Sequence, residues 1–403
     1  MTKEGLVNCL EGILDKIRAD ASLIEHQPKR AVTVDVAIVK PFALALGKHS
    51  DIARLHGNWV QTENHGGLID LDQMANQLVV RAIALGSAAV IDDAIRFALT
   101  GEVDIATVRL VEGATVERAV ALDHNITIET LTTVPSASIV SHLLSKENVP
   151  DHGWGKPPSC ALVVRERVHI PLQPAPTAGQ STPPTTYSSN SEQLMWQAMN
   201  AIVLCSTGAP QLRQGYEIVT SPGWPLRDCA GGGDARGFPV HVPFERAVDE
   251  TRVASVFQKL QLLGHDESLL MAMSKLVSSR RMSNAGQVIE LGTCLEVLLT
   301  HGQGHSSEIG YKLGTRAAWL LGDNAESRGF IFKRAKNLYD ARSKAVHAGV
   351  LNEAYGSPAY REALDSYDDL CRELIIVLLS STFWTSTPEW QLLVVGGVTG
   401  HGV

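Results

Sequence analysis

The chain has 403 residues, 44% hydrophobic and 19% charged, a composition that excludes a disordered polymer and provides for two or three hydrophobic cores. A net charge of -8 repels polyanions from the molecule as a whole, so nucleic-acid contact requires a local basic patch, and aromatics at 5% offer few stacking surfaces. Six scattered cysteines exclude a disulfide framework and a cysteine-rich zinc site, and no apolar run approaches the roughly 20 residues of a membrane span, so the expectation is a cytoplasmic protein without membrane contact.

In chain order, Leu6, Leu10, Ile13, Leu14 and Ile17 recur at helical spacing within residues 4–25, and the stretch from Asp70 to Gly101 predicts one or two helices closed by that glycine. The period then changes. From Val103 to Val134, β-branched and polar residues alternate around turns at Glu112-Gly113 and Asp123-His124-Asn125, which predicts two or three short strands. Residues 1–170 therefore read as a mixed α/β region without a chemical motif; His56, His65 and Glu63 are assigned to loops.

Residues 171–193 are rich in Pro, Ser and Thr and predict a linker or long loop, because they carry too little apolar area to offset their ordering entropy. Residues 194–244 are expected to connect. They include DCAGGGDARGFP, a glycine break with no following Gly-Lys-Ser/Thr and hence no phosphate-cradling loop. From 245 to 385 successive amphipathic segments predict an all-α bundle, followed by a tail from 386 to 403. The expected fold class is an α+β N-terminal region followed by an all-α helical bundle. In HGQGHSSE, the residues His301, His305 and Glu308 have metal-ligand spacing only on a helix, and Gly302 and Gly304 favour a loop, so no metal and no cofactor are expected.

One helix of the bundle carries chemistry-bearing residues. In FKRAKNLYDARSKAVHAG, at 100° per residue, Ile331, Ala335, Leu338, Tyr339, Ala345 and Val346 form an apolar stripe with Arg342 near its centre. An arginine there needs a partner: its own stem, a core carboxylate such as Glu296, or a second protein surface. His347 lies about 140° around from Arg342, so the two converge only if a second copy of the helix crosses it. Between Arg328 and His347, six cations stand against the single anion Asp340, which makes this face attractive to a phosphate backbone.

NLYDARSKAVHAG, preceded by QVIELGTCLEVLLT and EIGYKLGTRAAWLLG, resembles the HEPN superfamily and within it the Apea-like HEPN domains. The superfamily hallmark is an arginine, four to six residues and a histidine, matched here by Arg342 and His347; the resemblance covers roughly residues 245–385. It implies a HEPN-type bundle that dimerises and, in many members, cleaves RNA without a metal, in toxin or antiviral defence roles.

Carried onto this chain, Arg342 and His347 become the catalytic pair, with Ser343 supporting. Many active members have Asn, His or Asp where this chain has Ser343, which can still donate a hydrogen bond to phosphate. Lys333, Arg334, Lys336 and Lys344 are expected to bind RNA, and Glu296 and Tyr339 to support the site. A homodimer is expected, and the first half is a candidate sensor for a phage-derived or protein trigger. The alternative is a non-catalytic HEPN scaffold that binds RNA or a protein partner.

Overall fold

The computed structural model describes residues 1–25, 33–62, 66–135, 158–175, 189–226, 231–233, 246–263, 267–282, 285–300, 308–348, 357–380, 390 and 393. Helix α1 (Lys3–Ala19) starts where the Thr2 hydroxyl accepts from the Gly5 N–H, and it buries the five apolar positions expected from its spacing. It packs with α2 (Val36–Leu46), α4 (Leu71–Leu85) and α5 (Ser87–Thr100), and α3 (Ser50–Ala53) packs against α5. The predicted helical stretch from 70 to 101 is two helices because Gly86, at φ 84°, breaks it. Gly101, at φ 71°, ends α5 in the left-handed conformation that glycine adopts without steric cost.

The strands are β1 (Ile24–Glu25), β2 (Thr33–Val34), β3 (Asn58–Gln61), β4 (Gly66–Leu68), β5 (Glu102–Glu112), β6 (Ala114–Thr115), β7 (Val120–Ala121) and β8 (Ile126–Thr130). After them come β9 (Cys160–His169), β10 (Gln173–Pro174), β11 (Gln211–Val219), β12 (Gly231–Gly233) and β13 (Arg246–Ala247). The main sheet has the order β12-β11-β5-β9-β8-β7 and is antiparallel throughout, with β5 and β9 paired from Glu102↔His169 to Val111↔Cys160.

The helices after the sheet's first strands are α6 (Ser191–Leu204), α7 (Val253–Leu262), α8 (Glu267–Arg281), α9 (Ala285–Thr300), α10 (Ile309–Leu321), α11 (Ala325–Ala348) and α12 (Pro358–Ser380). The protein is mixed α+β with a helical C-terminal region. No helix among the described residues is long and apolar enough to cross a membrane.

Two cores share one face of the main sheet. Val103, Ile105 and Val168 pack with the N-terminal helices, whereas Val111, Cys160, Leu162 and Val164 pack with α6 to α12. Side chains two residues apart point to the same face, so β5 carries apolar positions into both cores and places Thr107 and Arg109 between them.

This changes the expected organisation. The linker expected at 171–193 contains β10, paired with β3, and the first turn of α6; residues 176–188 lie outside the described residues. The connector expected at 194–244 supplies most of α6 to the second core and β11 to the sheet, between β12 and β5. Gly231–Gly233, read as a break, form strand β12 against β11, an edge position that backbone hydrogen bonds alone can hold.

Candidate functional site on helix α11

Helix α11 begins with a reciprocal cap: the Asn324 side chain accepts from the Ser327 N–H at 2.9 Å, and the Ser327 hydroxyl accepts from the Asn324 N–H at 3.1 Å. The helix buries Ile331, Ala335, Leu338, Ala341 and Ala345 against its neighbours, and Tyr339 is half-buried. Val346, placed in the stripe by the sequence, is exposed because it sits at the stripe's edge near the helix end.

Arg342 finds its partner inside the chain. Its guanidinium Nη2 lies 3.3 Å from Oε2 of Glu296 on α9, and both side chains are about three-quarters buried, at 28% and 23% exposure. Burial raises the Glu296 pKa above the usual glutamate value, and the Arg342 charge opposes that rise without cancelling it. Of the alternatives open to Arg342, the core carboxylate is supplied by the chain itself. Arg316, a buried arginine on α10, donates to the Leu299 carbonyl and stacks over the Trp390 ring at 4.5 Å, and burial lowers its pKa to about 10.

The basic face is smaller than the sequence suggests. Arg334 turns inward and donates to the Ser366 carbonyl on α12, and burial lowers its pKa. Arg334 and Arg342 each lie four residues from Leu338, about 40° to either side of it, so the helical wheel that placed Arg342 in the stripe holds Arg334 as well. Arg328 stacks over Trp319 at 3.7 Å and donates to the Gly322 carbonyl. Lys333, Lys336 and Lys344 are exposed, with Lys336 bonded to Asp340 at 2.6 Å. Ser343 is half-buried.

His347 is exposed in the last turn of α11. A step of five residues along unbroken helix separates it from Arg342 by about 7.5 Å of rise, and no hydrogen bond joins the two among the described residues. On helix α11 a single chain thus presents one exposed imidazole and one desolvated, carboxylate-paired guanidinium that do not meet.

No protein-family model, curated protein or solved structure matches this chain. His65, Glu63, His301 and His305 fall outside the described residues, and His56 is exposed. Among the described residues no group of three or more His, Cys, Asp or Glu side chains is placed to hold a metal ion. The sequence reading missed a cleft between β5, β11, α6 and α8; the one local signal was Arg109 on the strand face that also carries Val103, Ile105, Thr107 and Val111.

Proposed function

We propose that the helical region is a HEPN-type endoribonuclease in which His347 moves the proton and Arg342 meets the phosphate. The observation that carries this reading is an exposed imidazole and a guanidinium on one unbroken helix, flanked by the exposed cations Lys333, Lys336 and Lys344. Attack of a ribose 2′-oxygen on the adjacent phosphorus sends its proton to a base and requires a proton for the departing 5′-oxygen, leaving a 2′,3′-cyclic phosphate. An imidazole can accept or donate a proton and so suits either transfer, and a guanidinium stabilises the charge gained by the phosphate oxygens.

Two proton transfers on opposite sides of the phosphorus call for two groups, and each chain offers one His347. The homodimer belongs to the proposal on this ground, with two copies of α11 completing one cleft. A cytoplasmic toxin or antiphage role, with the N-terminal region responding to a phage-derived or protein trigger, completes the reading.

The Glu296–Arg342 ion pair favours a second reading, a non-catalytic scaffold that binds RNA or protein. The deciding experiment incubates the full chain with labelled RNA in EDTA. The enzyme reading expects cyclic-phosphate ends, no cleavage where the scissile ribose is 2′-deoxy, and loss of cleavage in His347→Ala with the oligomeric state unchanged. RNA that is bound but left intact establishes the scaffold.

A further inference from the structure

A cleft of about 710 Å³ opens where the two cores part, between strands β5 and β11 and helices α6 and α8. Its volume is that of a small-molecule site. The sheet itself keeps the cleft open. Between the apolar positions that serve each core, the shared face carries Thr107 and Arg109 on β5, paired with Glu217 and Gly215 on β11. Neither core can close over this polar row without desolvating charge. A register shift between Leu212 and Gly215 bends β11 here, and at Gly215 a Cβ would lie 2.1 Å from the Val108 carbonyl, so the floor is bare backbone.

The walls differ in chemistry. On α6 the Trp196 side chain is 44% exposed and lines the cleft beside the apolar Met195 and Met199. On α8 Arg281 reaches the same space and has neither a hydrogen-bond nor a carboxylate partner among the described residues. Arg281 is exposed, and partial desolvation lowers its pKa. Arg109 is only loosely neutralised: its nearest carboxylate, Glu192, lies 3.6 Å away, beyond hydrogen-bond length, and is itself 84% exposed.

We propose that this cleft binds a small amphipathic organic anion, with its phosphate, sulfonate or carboxylate between Arg281 and Arg109 and a flat apolar body against Trp196 and the methionines. Charge-assisted bonds from two under-paired arginines hold the head, and an aromatic wall with polarizable thioethers accepts the body. The occupant bridges α8 of the helical region to the sheet that carries the N-terminal core. The inference does not depend on ribonuclease activity.

The test uses the full chain and three probes: 1-anilinonaphthalene-8-sulfonate, its neutral counterpart N-phenyl-1-naphthylamine, and inorganic phosphate. The expected result is one saturable sulfonate site per chain, bound at least about tenfold more tightly than the neutral rings or phosphate alone, since one charge-assisted bond is a tenfold effect. Arg281→Ala should remove that preference, Trp196→Ala should weaken both ring probes, and Ser274→Trp should block the cleft by filling it. Arg118→Ala removes an exposed cation outside the cleft and should change nothing. Thermal midpoints verify that each variant is folded. Equal affinity for charged and neutral rings, several non-saturating sites, or an unaltered preference in Arg281→Ala and Ser274→Trp would overturn the proposal.

Discussion

Gly292 on α9 and Arg342 on α11 approach so closely that a Cβ on the glycine would lie 2.5 Å from both Cβ and Cγ of the arginine. The missing side chain lets the arginine stem lie on α9 and brings its head to Glu296, four residues along the same helix. On α10 the device recurs: a Cβ on Gly310 would lie 2.9 Å from Tyr339, and one on Gly314 2.8 Å from Phe332. Helix α11 beds onto two glycine-relieved neighbours, with Lys333, Lys336 and His347 left facing solvent.

Substitution at two helical glycines should therefore have opposite signs. Gly292→Ala gains about 1 kcal/mol of helix propensity but forces stem atoms that cannot swing away, at a cost of about 1–3 kcal/mol, so the net effect is destabilising. Gly329→Ala, where nothing lies within 4 Å of the added carbon, keeps the propensity gain alone. Urea unfolding midpoints check this; equal shifts in both variants would remove the close approach from the account.

Arg280 fastens three elements. Its Nε and Nη2 each donate to an Asp368 oxygen at 2.8 Å, and Nη1 donates to the carbonyls of Val203 at 2.8 Å and Gly208 at 2.9 Å. With 5% and 14% exposure of the two side chains, breaking the pair strands a buried carboxylate. Arg280→Ala should cost about 3–5 kcal/mol, and Arg280→Lys should recover only part of it because an ammonium lacks the planar fork. Denaturant titration of the full chain measures both, and a full rescue by lysine would refute the fork argument.

Local signals were legible where one residue decides the geometry. Leu6 to Ile17 and Ile331 to Ala345 repeat at the helical period, and Gly101 and Gly113 adopt the positive φ that their turns require. Strand partners were not legible, since β11 meets β5 about a hundred residues away and its polar residues, Arg213 and Glu217, resemble a loop until Glu112 and Thr107 are beside them. Arg334 and Arg342 share one wheel angle from Leu338, yet the first caps a carbonyl of α12 and the second pairs with α9; only the packing of neighbouring helices separates them.

Acid should weaken the N-terminal half through Asp104. Its carboxylate accepts from Arg167 Nε at 2.8 Å and Nη2 at 3.2 Å, and these bonds hold its pKa below the usual aspartate value despite partial burial. Because the folded value is depressed, the stabilisation is complete above the unfolded value of about 3.9 and is lost as pH falls through the folded value. Asp104→Asn should thus be less stable than the parent at pH 7 and indistinguishable from it at the acid end. A stability gap that does not vary with pH would show that the carboxylate's charge is not the cause.

The last expectation separates a phosphate-binding Arg342 from a structural one. Glu296 lies against the Arg342 guanidinium, so RNA has to compete with it. The Glu296 pKa is raised by burial, so the folded protein favours its neutral form; the cost of the ionised form is present at pH 7 and disappears as pH falls through the raised value. Glu296→Gln imitates the protonated state. If Arg342 meets phosphate, this variant should bind RNA roughly three- to tenfold more tightly at pH 7, as expected when a competing anion is removed from a charge-assisted contact. The comparison belongs in a His347→Ala background, which leaves Glu296 as the variable: there the chain that keeps Glu296 should bind more tightly as pH falls and the one that also carries Glu296→Gln should not. Parallel pH slopes and equal affinities would show that Arg342 serves the packing of α9 against α11 and does not touch RNA.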